Sequence, residues 1–390
     1  MTINFIEMKN RSIVITCLPF LADALEGEIV ALGYQVLNKD SKAVTIEGNM
    51  HDAMKLNYYL RCANKVLYHF SSFKASGPDE LYKYATQLEW EQYMSEKGYF
   101  SVDSFVKNKY IRDTRFANLR VKDAIADRFR KKFGLRPNTG PDVNNIVIYM
   151  HWVENDVKLY FDTSGPTLSK HGYRVNPWKA PMQENLAAAV VYTTGWNGSG
   201  HFINPMCGSG TLAIEAAWMV YGIHPGRLRQ HYAFKKMKGY DKEYWLKIKR
   251  EAMEAGSTEE GNFKIIATDR SAGAISAARQ NARKAGVEHL IEFSICDYND
   301  TVVPVEKPGI VLMNPEYGER MGDKSQLEKV YEEIGDFFKN RCQGYTGYVF
   351  TGDLELAKKV GLRTNRRISF MNAKIESRLL EYPLYSGYGQ

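Results

Sequence analysis

The stretch His201-Phe202-Ile203-Asn204-Pro205-Met206-Cys207-Gly208-Ser209-Gly210-Thr211 decides the fold of the C-terminal half of this chain. A short strand, 201–203, leads into two glycines, and the helical pattern of residues 210–221 follows. The two glycines permit a tight turn and let a ligand approach the backbone closely. We therefore predict an α/β sheet whose ligand site lies at the carboxyl end of this strand.

The sequence on either side of this stretch alternates between strands and helices. The predicted strands are 201–203, 264–268, 291–295, 309–313 and 345–350, and the predicted helices are 183–194, 210–221, 271–285 and 325–339. Such alternation implies a mostly parallel sheet covered on both faces. The last two strands, Arg363–Met371 and Lys374–Pro383, are consecutive and predict an antiparallel hairpin around Asn372-Ala373. This plan resembles that of class I methyltransferases, whereas dinucleotide dehydrogenases continue with another strand-helix unit.

The first sixty residues predict a small α+β unit of ferredoxin-like type. Its elements are strand Ser12–Cys17, helix Ala22–Leu32, strand Ala43–Glu47 and helix Met50–Arg61. A signal peptide is the rival interpretation, because Lys9 and Arg11 precede an apolar stretch and Ala22-Asp23-Ala24 imitates a cleavage site. The strand followed by a helix is favoured.

A second unit begins at Lys65. Its predicted strands are 66–73, 99–107, 146–153 and 157–162, and its predicted helices are 79–88 and 116–133. In the strand Tyr99–Lys107, Phe100 and Val102 are expected to face inward, with Phe105 as a third candidate. In the second helix Phe116, Leu119, Ile125 and Phe129 stand at helical spacing. Residues 163–182 are rich in glycine and proline and predict a linker.

Composition restricts the class of protein. With 390 residues the chain is expected to form two or three domains. No run of 18 apolar residues occurs, so a membrane span is not expected. The five cysteines are scattered and form no C-x-x-C pair, which argues against a disulfide framework or a metal site and favours a reducing cytoplasm.

The net charge of +7 is concentrated in one segment. Residues 106–136 contain eleven Lys and Arg but only three Asp, a local net charge of +8. Such clustering is typical of a protein that contacts a phosphate backbone. The alternative is a solvated helix face, although a face of that kind usually mixes both signs. The sequence favours a nucleic-acid partner.

Two acidic residues follow the neighbouring predicted strands. Asp269 follows strand 264–268, where its carboxylate could accept hydrogen bonds from both hydroxyls of a ribose. Asp297 follows strand 291–295, where it could accept from an adenine amino group. In the alternative interpretation both acids only cap helices or turns. Their position at two strand ends after a Gly-x-Gly loop favours a nucleoside-containing cofactor.

A dinucleotide site is the rival interpretation, because Gly208, Gly210 and Ala213 loosely match G-x-G-x-x-A. In a dinucleotide fold the acid that binds the ribose lies about 20 residues beyond the glycines. Here Asp269 lies nearly three times as far away, because residues 222–262 intervene. This spacing argues against a dinucleotide.

The strand 309–313 ends at Asn314-Pro315-Glu316-Tyr317. Methyltransferases that modify the exocyclic amine of a base end a buried strand with Asn or Asp, two prolines and an aromatic residue, and this chain matches three of those four positions. The Asn314 side-chain oxygen and the Pro315 carbonyl could each accept one N–H of an amine and hold it in line with a methyl donor, while Tyr317 stacks on the base. A simple strand-ending turn is the alternative. Glu316 is expected to face solvent or to pair with Arg320. A role as proton acceptor is the less favoured alternative.

These motifs together resemble the THUMP-domain, class I 23S rRNA guanine-N2 methyltransferases of bacteria. The matching segments are 88–90, 120–128, 162–165, 171–174, 180–181, 204–211 and 314–320. The resemblance implies a ferredoxin-like domain at 1–64, a THUMP RNA-binding domain at 65–165, a linker at 166–182 and a class I methyltransferase domain with a mixed seven-stranded sheet at 183–390. Two residues depart from the family pattern: Asn204 stands where Asp is usual, and Glu316 where Pro is usual.

The resemblance also implies S-adenosylmethionine as the cofactor, no metal, and RNA as the partner, with rRNA favoured over tRNA. A non-catalytic RNA-binding or assembly factor is the second alternative. The candidate catalytic residues are Asn314, Pro315 and Tyr317. The candidate cofactor-binding residues are Asn204, Pro205, Cys207, Gly208, Gly210, Thr211, Asp269 and Asp297. The candidate RNA-binding residues are Lys107, Lys109, Arg112, Arg120, Lys122, Arg128, Arg130, Lys131, Lys132 and Arg174.

Overall fold

The structure is a computed structural model that describes residues 9–179, 181–256, 261–317 and 324–385. The chain forms two compact units. The first contains the residues up to Cys17 together with Leu25–Leu168 and Arg229–Glu251. The second contains Leu18–Ala24, Ser169–Leu228 and the residues from Ala252 onward. Residues 229–251, which interrupt the strand-helix alternation of the C-terminal half, therefore pack within the first unit.

Residues 9–162 form one mixed sheet with helices. In chain order the elements are β1 (Arg11–Cys17), α1 (Ala22–Ala31), β2 (Val36–Asp40), β3 (Ala43–Gly48), α2 (Met50–Tyr59), β4 (Ala63–Lys74), α3 (Pro78–Gln87), β5 (Tyr99–Lys107), α4 (Thr114–Phe133), β6 (Asn138–Thr139), β7 (Ile146–Val153) and β8 (Asp156–Asp162). The sheet order is β2-β3-β1-β4-β8-β7-β5-β6. Strand β4 pairs with β1 on one side and with β8 on the other. The predicted ferredoxin-like and THUMP segments thus share one continuous sheet.

Two predictions about this sheet and its helices were wrong. The strand predicted as the second, Ala43–Glu47, corresponds to the third strand, β3, because Val36–Asp40 also forms a strand, β2. Strand β2 lies at the sheet edge, and four of its five residues are exposed. In α4 the buried stripe contains Ala117, Val121, Ile125 and Phe129, whereas Phe116 and Leu119 are 49% and 53% exposed. Residues 119 and 125 stand six positions apart, about 240° around a helix, so they cannot share one face.

The C-terminal half supplies the second sheet. The elements are α5 (Glu184–Thr194), β9 (Phe202–Pro205), α6 (Thr211–Val220), α7 (Lys242–Glu254), β10 (Ile265–Asp269), α8 (Ala272–Ala285), β11 (Ile291–Ile295), β12 (Ile310–Met313), α9 (Lys324–Arg341), β13 (Thr346–Thr351), α10 (Leu354–Lys359), β14 (Arg366–Asn372) and β15 (Ile375–Pro383). Short 3-10 turns lie at Trp90–Gln92, Pro225–Arg227, Ala233–Lys236, Glu288–Leu290 and Tyr298–Asp300. Helices α7 and α10 were not predicted.

The second sheet has the order β11-β10-β9-β12-β13-β15-β14. The first five strands pair in parallel, whereas β15 pairs antiparallel with both β13 and β14. The predicted seven-stranded mixed sheet with a terminal antiparallel hairpin is therefore confirmed. Strand β12 is wholly buried, and Val311 and Met313 pack in one apolar cluster with residues of α9 and β13.

The segment 163–182 contains no helix or strand in its described part, as a linker predicts. Much of it is nevertheless buried, including Thr163, Leu168, His171, Tyr173 and Met182. The boundary between the two compact units falls within it, between Leu168 and Ser169. Its contacts bear directly on the candidate site.

Candidate cofactor and acceptor site

Four adjacent parallel strands of the second sheet end at the same edge. The strands β11, β10, β9 and β12 are neighbours in the sheet, and the candidate residues follow each of them. In the register, Asp269 pairs with Ile295 and Pro205 with Thr268, so these strand ends lie level with one another. The fold therefore brings the predicted cofactor-binding and catalytic segments together at the carboxyl edge, where open α/β sheets bind ligands.

The loop between β9 and α6 adopts left-handed backbone at three positions, with φ of 55° at Met206, 55° at Gly208 and 80° at Gly210. Gly210 is the N-cap of α6 and gives it no side-chain hydrogen bond. A Cβ on Gly208 would meet no atom within 4 Å. The absence of a side-chain cap on α6 and the open space at Gly208 suit a ligand that approaches the backbone closely.

Asp269 holds this loop. Its carboxylate accepts hydrogen bonds from the backbone N–H of Gly208, at 3.0 Å, and of Ser271, at 2.9 Å. A carboxylate has about four acceptor positions, so capacity remains for the hydroxyls of a ribose. Asp269 can therefore hold the loop, as in the capping alternative, and still accept hydrogen bonds from a ribose, as predicted.

Asp297 follows β11 and caps the short turn Tyr298–Asp300. Its Oδ1 accepts from the backbone N–H and the side-chain amide of Asn299, both at 3.1 Å. The carboxylate is partly exposed at the strand end. The capping interpretation is therefore observed for this residue, and a contact with adenine stays a prediction.

Asn204 is wholly buried and connects two strands of the site. Its amide donates to the carbonyl of Leu312 on β12 at 2.7 Å. Its Oδ1 is buried without a hydrogen-bond partner among the described residues. An ionised Asp at this position could not donate such a bond. Asn204 therefore ties β9, which leads into the glycine loop, to β12, which Asn314 follows, and leaves one acceptor unpaired.

The other loop residues predicted to bind cofactor are also buried. Pro205 is the last residue of β9, and Thr211 is the first of α6. Cys207 donates its backbone N–H to Thr268 at 2.9 Å. Burial raises the pKa of the Cys207 thiol well above its ordinary value, so the thiol stays protonated. Cys207 can shape the loop but is not a thiolate nucleophile.

The acceptor segment begins where β12 ends. Asn314 is partly buried, and its Oδ1 has no hydrogen-bond partner among the described residues. Pro315 is buried and Glu316 is exposed. A pairing of Glu316 with Arg320 lies outside the described residues. An unpaired buried acceptor is costly for a protein that never uses it, about 1–3 kcal/mol.

Tyr317 is positioned by the terminal hairpin of the sheet. Its hydroxyl accepts a hydrogen bond from the Asn372 amide at 2.8 Å. Its ring packs against Gly352, where an added Cβ would lie 2.6 Å from the ring. Sequence patterns place Asn372 in a turn and indicate no role for it. Because the hydrogen bond joins residues 55 positions apart, no local pattern could reveal it.

Asn281 on α8 is a second residue whose role the sequence does not indicate. It is buried and makes four hydrogen bonds: its Oδ1 accepts from the N–H groups of Val175 and Asn176, and its amide donates to the carbonyls of Asn176 and Ser209. It therefore attaches the predicted linker to the glycine loop. Next to it, the Trp178 ring covers Gly273 so closely that an added Cβ would clash with the indole.

Replacing Asn281 should loosen this attachment. We expect Asn281→Ala to lower the free energy of unfolding by about 2–4 kcal/mol, because it removes four hydrogen bonds, one of them buried and three partly buried. Denaturant unfolding measures the change, and limited proteolysis should detect cleavage near Trp178. Gln280→Ala, at the exposed neighbouring position, is the control and should change neither. Equal stability of both variants would show that Asn281 does not hold the segment.

Arg174 lies in a buried polar cluster rather than at an open surface. It pairs with Glu184 at 3.2 Å and donates to the carbonyl of Met182. Nearby, His171 and Tyr173 each contact the buried Glu215 of α6 at 2.7 Å. The Arg174 charge is thus offset within the protein, which weakens its predicted role in RNA binding.

The basic segment divides into paired and unpaired side chains. Four of its candidate residues are held in ion pairs: Arg120 with Asp79, Arg128 and Lys132 with Glu91, and Arg130 with Asp127. The contact with Arg128 lowers the pKa of Glu91 to about 2, so this carboxylate stays charged. In the part of the chain that the structure describes, no ion pair involves Lys107, Lys109, Arg112, Lys122 or Lys131. These five remain the better candidates for RNA contact.

Within the described ranges, no three His, Cys, Asp or Glu side chains are grouped so that they could hold a metal ion. Across the same residues, no helix is both long and apolar enough to cross a membrane. The five cysteines are all unpaired, and four of them are buried.

Three family models match consecutive parts of the chain. A model described as RMKL-like, methyltransferase domain matches residues 171–381, more than half of the chain. A THUMP domain model matches residues 75–162, and an RlmL ferredoxin-like domain model matches residues 12–67. These matches agree with the fold class predicted from the sequence.

Individual relatives agree with these models. A ribosomal RNA large subunit methyltransferase K/L from Syntrophotalea carbinolica is 35% identical over 94% of this chain and 52% of its own. A protein of the same name from Psychromonas ingrahamii is 36% identical over 93% and 49%. The chain spans about half the length of these relatives. The structure of SMU.472 complexed with SAH superposes with a TM-score of 0.87 at 26% identity, covering 98% of this chain and 100% of that one.

Proposed function

Because the chain belongs to the RMKL-like methyltransferase family, we propose that it transfers a methyl group from S-adenosylmethionine to N2 of a guanine in 23S rRNA. One observation carries this proposal. The Gly208–Gly210 loop with Asp269 and the unpaired Asn314 oxygen follow adjacent strands at one edge of the sheet. A nucleoside-containing methyl donor and an acceptor amine would therefore meet there.

The residues present fit the cofactor. Gly208 leaves open space for close backbone approach, Asp269 retains acceptor capacity for ribose hydroxyls, and Asn204 has an unpaired buried oxygen. Asp297 is available at the neighbouring strand end for the adenine. When bound, S-adenosylmethionine supplies an electrophilic methyl group on a sulfonium. A structure similar over nearly the whole chain is complexed with SAH, the product of that transfer.

Asn314 and Pro315 would orient the acceptor. The lone pair of an exocyclic amine is delocalised into the ring of the base, and two N–H acceptors at fixed positions hold the nitrogen in line with the methyl carbon. S-adenosylmethionine held by Gly208, Asp269 and Asp297 would supply the methyl group, and the amine held by Asn314 and Pro315 would release one proton to water. Glu316 is exposed, so this scheme gives it no part in the transfer. Tyr317, held by Asn372, would stack on the extruded base.

The basic segment would bind the phosphate backbone of the RNA. We expect replacement of Lys109, Arg112 and Lys131 by glutamine to weaken RNA binding. The slope of log affinity against log salt concentration should decrease in magnitude by about one for each phosphate that is no longer bound. Binding of a labelled 23S rRNA fragment across several salt concentrations measures the slope. Replacement of Lys42, Lys97 and Lys284, which are also exposed, removes the same charge elsewhere. Equal slopes for both triple variants would reject this segment as the RNA contact.

Transfer of labelled methyl groups to separate RNAs tests the proposed substrate. We expect the protein to label 23S rRNA that lacks its natural modifications, and to label tRNA and 16S rRNA far less. Preferential labelling of tRNA would favour the tRNA alternative. No labelling of any RNA by a protein that binds both RNA and SAH would favour a non-catalytic assembly factor.

A further inference from the structure

The sheet of the first unit has one covered face and one that bears exposed aromatic rings. Helix α4 packs against β5 on the covered face. The buried strand residues of that face are Phe100, Val102, Ile148, Met150, Trp152, Val157, Leu159 and Phe161. Successive side chains of a strand point to opposite faces, so Asp103, Phe105 and Lys107 belong to the other. Phe105, a candidate inward residue by its alternation, is 47% exposed.

The register aligns rings from four strands on this second face. One row across β5, β7, β8 and β4 contains Phe105, His151, Lys158 and Ser72, and the next contains Asp103, Tyr149, Tyr160 and His69. Side chains directly opposite one another lie about 5 Å apart. Phe105 stacks on His151 with ring centroids 5.3 Å apart, and His69 contacts Tyr160 at 5.5 Å.

The rings are uncharged at neutral pH. Burial lowers the pKa of His69 and of His151 below the ordinary histidine value. Burial likewise raises the pKa of Tyr149 to about 12 and raises that of Tyr160. Five neutral rings, four of them at least partly accessible, therefore lie in two neighbouring rows of one sheet face.

Exposed lysines lie within this surface and along one side of it. Lys158 lies within the first row, and Lys74 and Lys107 belong to a third row with Val153 and Asp156. All three lysines are exposed, against the two exposed acids Asp103 and Asp156. Aromatic rings beside cations match the two parts of a nucleotide, a flat base and a phosphate. An acidic or purely apolar protein partner would use only one of these features.

We propose that this sheet face, defined by Phe105, His151, Tyr149, Tyr160 and His69, is a base-stacking platform for single-stranded RNA. The platform is distinct from the basic side chains of α4, since it binds bases rather than the phosphate backbone alone. The inference rests on the proposed function in taking RNA as the partner. It adds that unpaired nucleotides outside the methylated position contribute to binding.

A pair of RNA probes tests the platform. One is a fluorescein-labelled single-stranded adenylate of about 12 nucleotides, and the other is an abasic ribose-phosphate strand of equal length. Anisotropy titrations with the full chain give the affinity for each. We expect the wild type to prefer the base-bearing strand, and Phe105→Ala to reduce that preference about fivefold or more, because one base can no longer stack on a ring there. Affinity for the abasic strand should not change.

Two further variants make the test specific. Phe105→Trp retains a stacking ring and should restore the preference. Leu37→Ala removes a side chain that is 56% exposed on β2, at the opposite edge of the same sheet, and should leave both affinities unchanged. Replacement of Lys109, Arg112 and Lys131 by glutamine should weaken binding of both RNA strands to the same degree.

The proposal is overturned if the wild type binds both strands equally, or if Phe105→Ala leaves the preference intact. It is also overturned if Phe105→Ala instead abolishes self-association in sedimentation, since the face would then join two copies of the chain. Neither titration requires methyl transfer. A protein that shows the base preference but methylates no RNA would reject the proposed function and leave the platform standing.

Discussion

Asn314→Ala should reduce methyl transfer to RNA by about 100-fold or more, because it removes an acceptor that positions the amine. The free enzyme should tolerate the change, since Asn314 Oδ1 has no hydrogen-bond partner among the described residues and its removal leaves nothing unpaired. Affinity for SAH should remain near that of the wild type. Single-turnover methylation and calorimetric titration with SAH measure the two effects separately.

The conservative variant separates positioning from packing. Asn314→Asp keeps an oxygen that can accept an N–H, so it should retain most of the activity that Asn314→Ala loses. If both variants methylate RNA at the wild-type rate, Asn314 has no part in the reaction. If both lose SAH affinity as well, the residue supports the cofactor rather than the acceptor.

Gly210→Ala should lower the free energy of unfolding by about 2–5 kcal/mol. Gly210 has φ of 80°, and an added Cβ would lie 2.9 Å from the Cβ of Ala278 on α8. The side chain of alanine has no flexible end that could move aside. The strain therefore falls on the packing between the glycine loop and α8, and denaturant unfolding measures it.

Gly208→Ala is the matched control for this prediction. Gly208 also has positive φ, 55°, but an added Cβ would meet no atom within 4 Å. Gly208→Ala should lower the free energy of unfolding only by the backbone strain, about 1–2 kcal/mol. The added methyl group should occupy the space proposed for the cofactor and weaken SAH binding. Equal destabilisation by the two variants, or full SAH affinity in Gly208→Ala, would contradict the account of this loop.

Local sequence patterns were sufficient to predict the second sheet and that the candidate residues meet at one edge of it. Asp269 ends a strand, the Gly-x-Gly loop, Asp297 and Asn314 follow strands, and the carboxyl ends of adjacent parallel strands meet at one edge. The mixed character of the sheet followed from alternation with helices and from the final hairpin. These features depend on neighbouring residues, so a single sequence contains them.

The remaining features depend on contacts between distant residues. Asn281 binds Val175 and Asn176 across more than 100 positions, and Asn372 binds Tyr317 across 55. In α4, Ile125 and Phe129 lie in the buried stripe, but its N-terminal part is formed by the smaller Ala117 and Val121 instead of Phe116 and Leu119. The edge strand Val36–Asp40 gives no alternating apolar pattern, because four of its five residues are exposed.

Nucleoside analysis of the methylated RNA tests the central claim most directly, which is that Asn314 and Pro315 present an exocyclic amine to the methyl donor. Unmodified 23S rRNA is incubated with labelled S-adenosylmethionine and the wild type or Asn314→Ala, digested, and separated into nucleosides. We predict label in N2-methylguanosine for the wild type and almost none for the variant. Label at a ring nitrogen, on the ribose or in another base, or undiminished N2-methylguanosine from Asn314→Ala, would contradict the account.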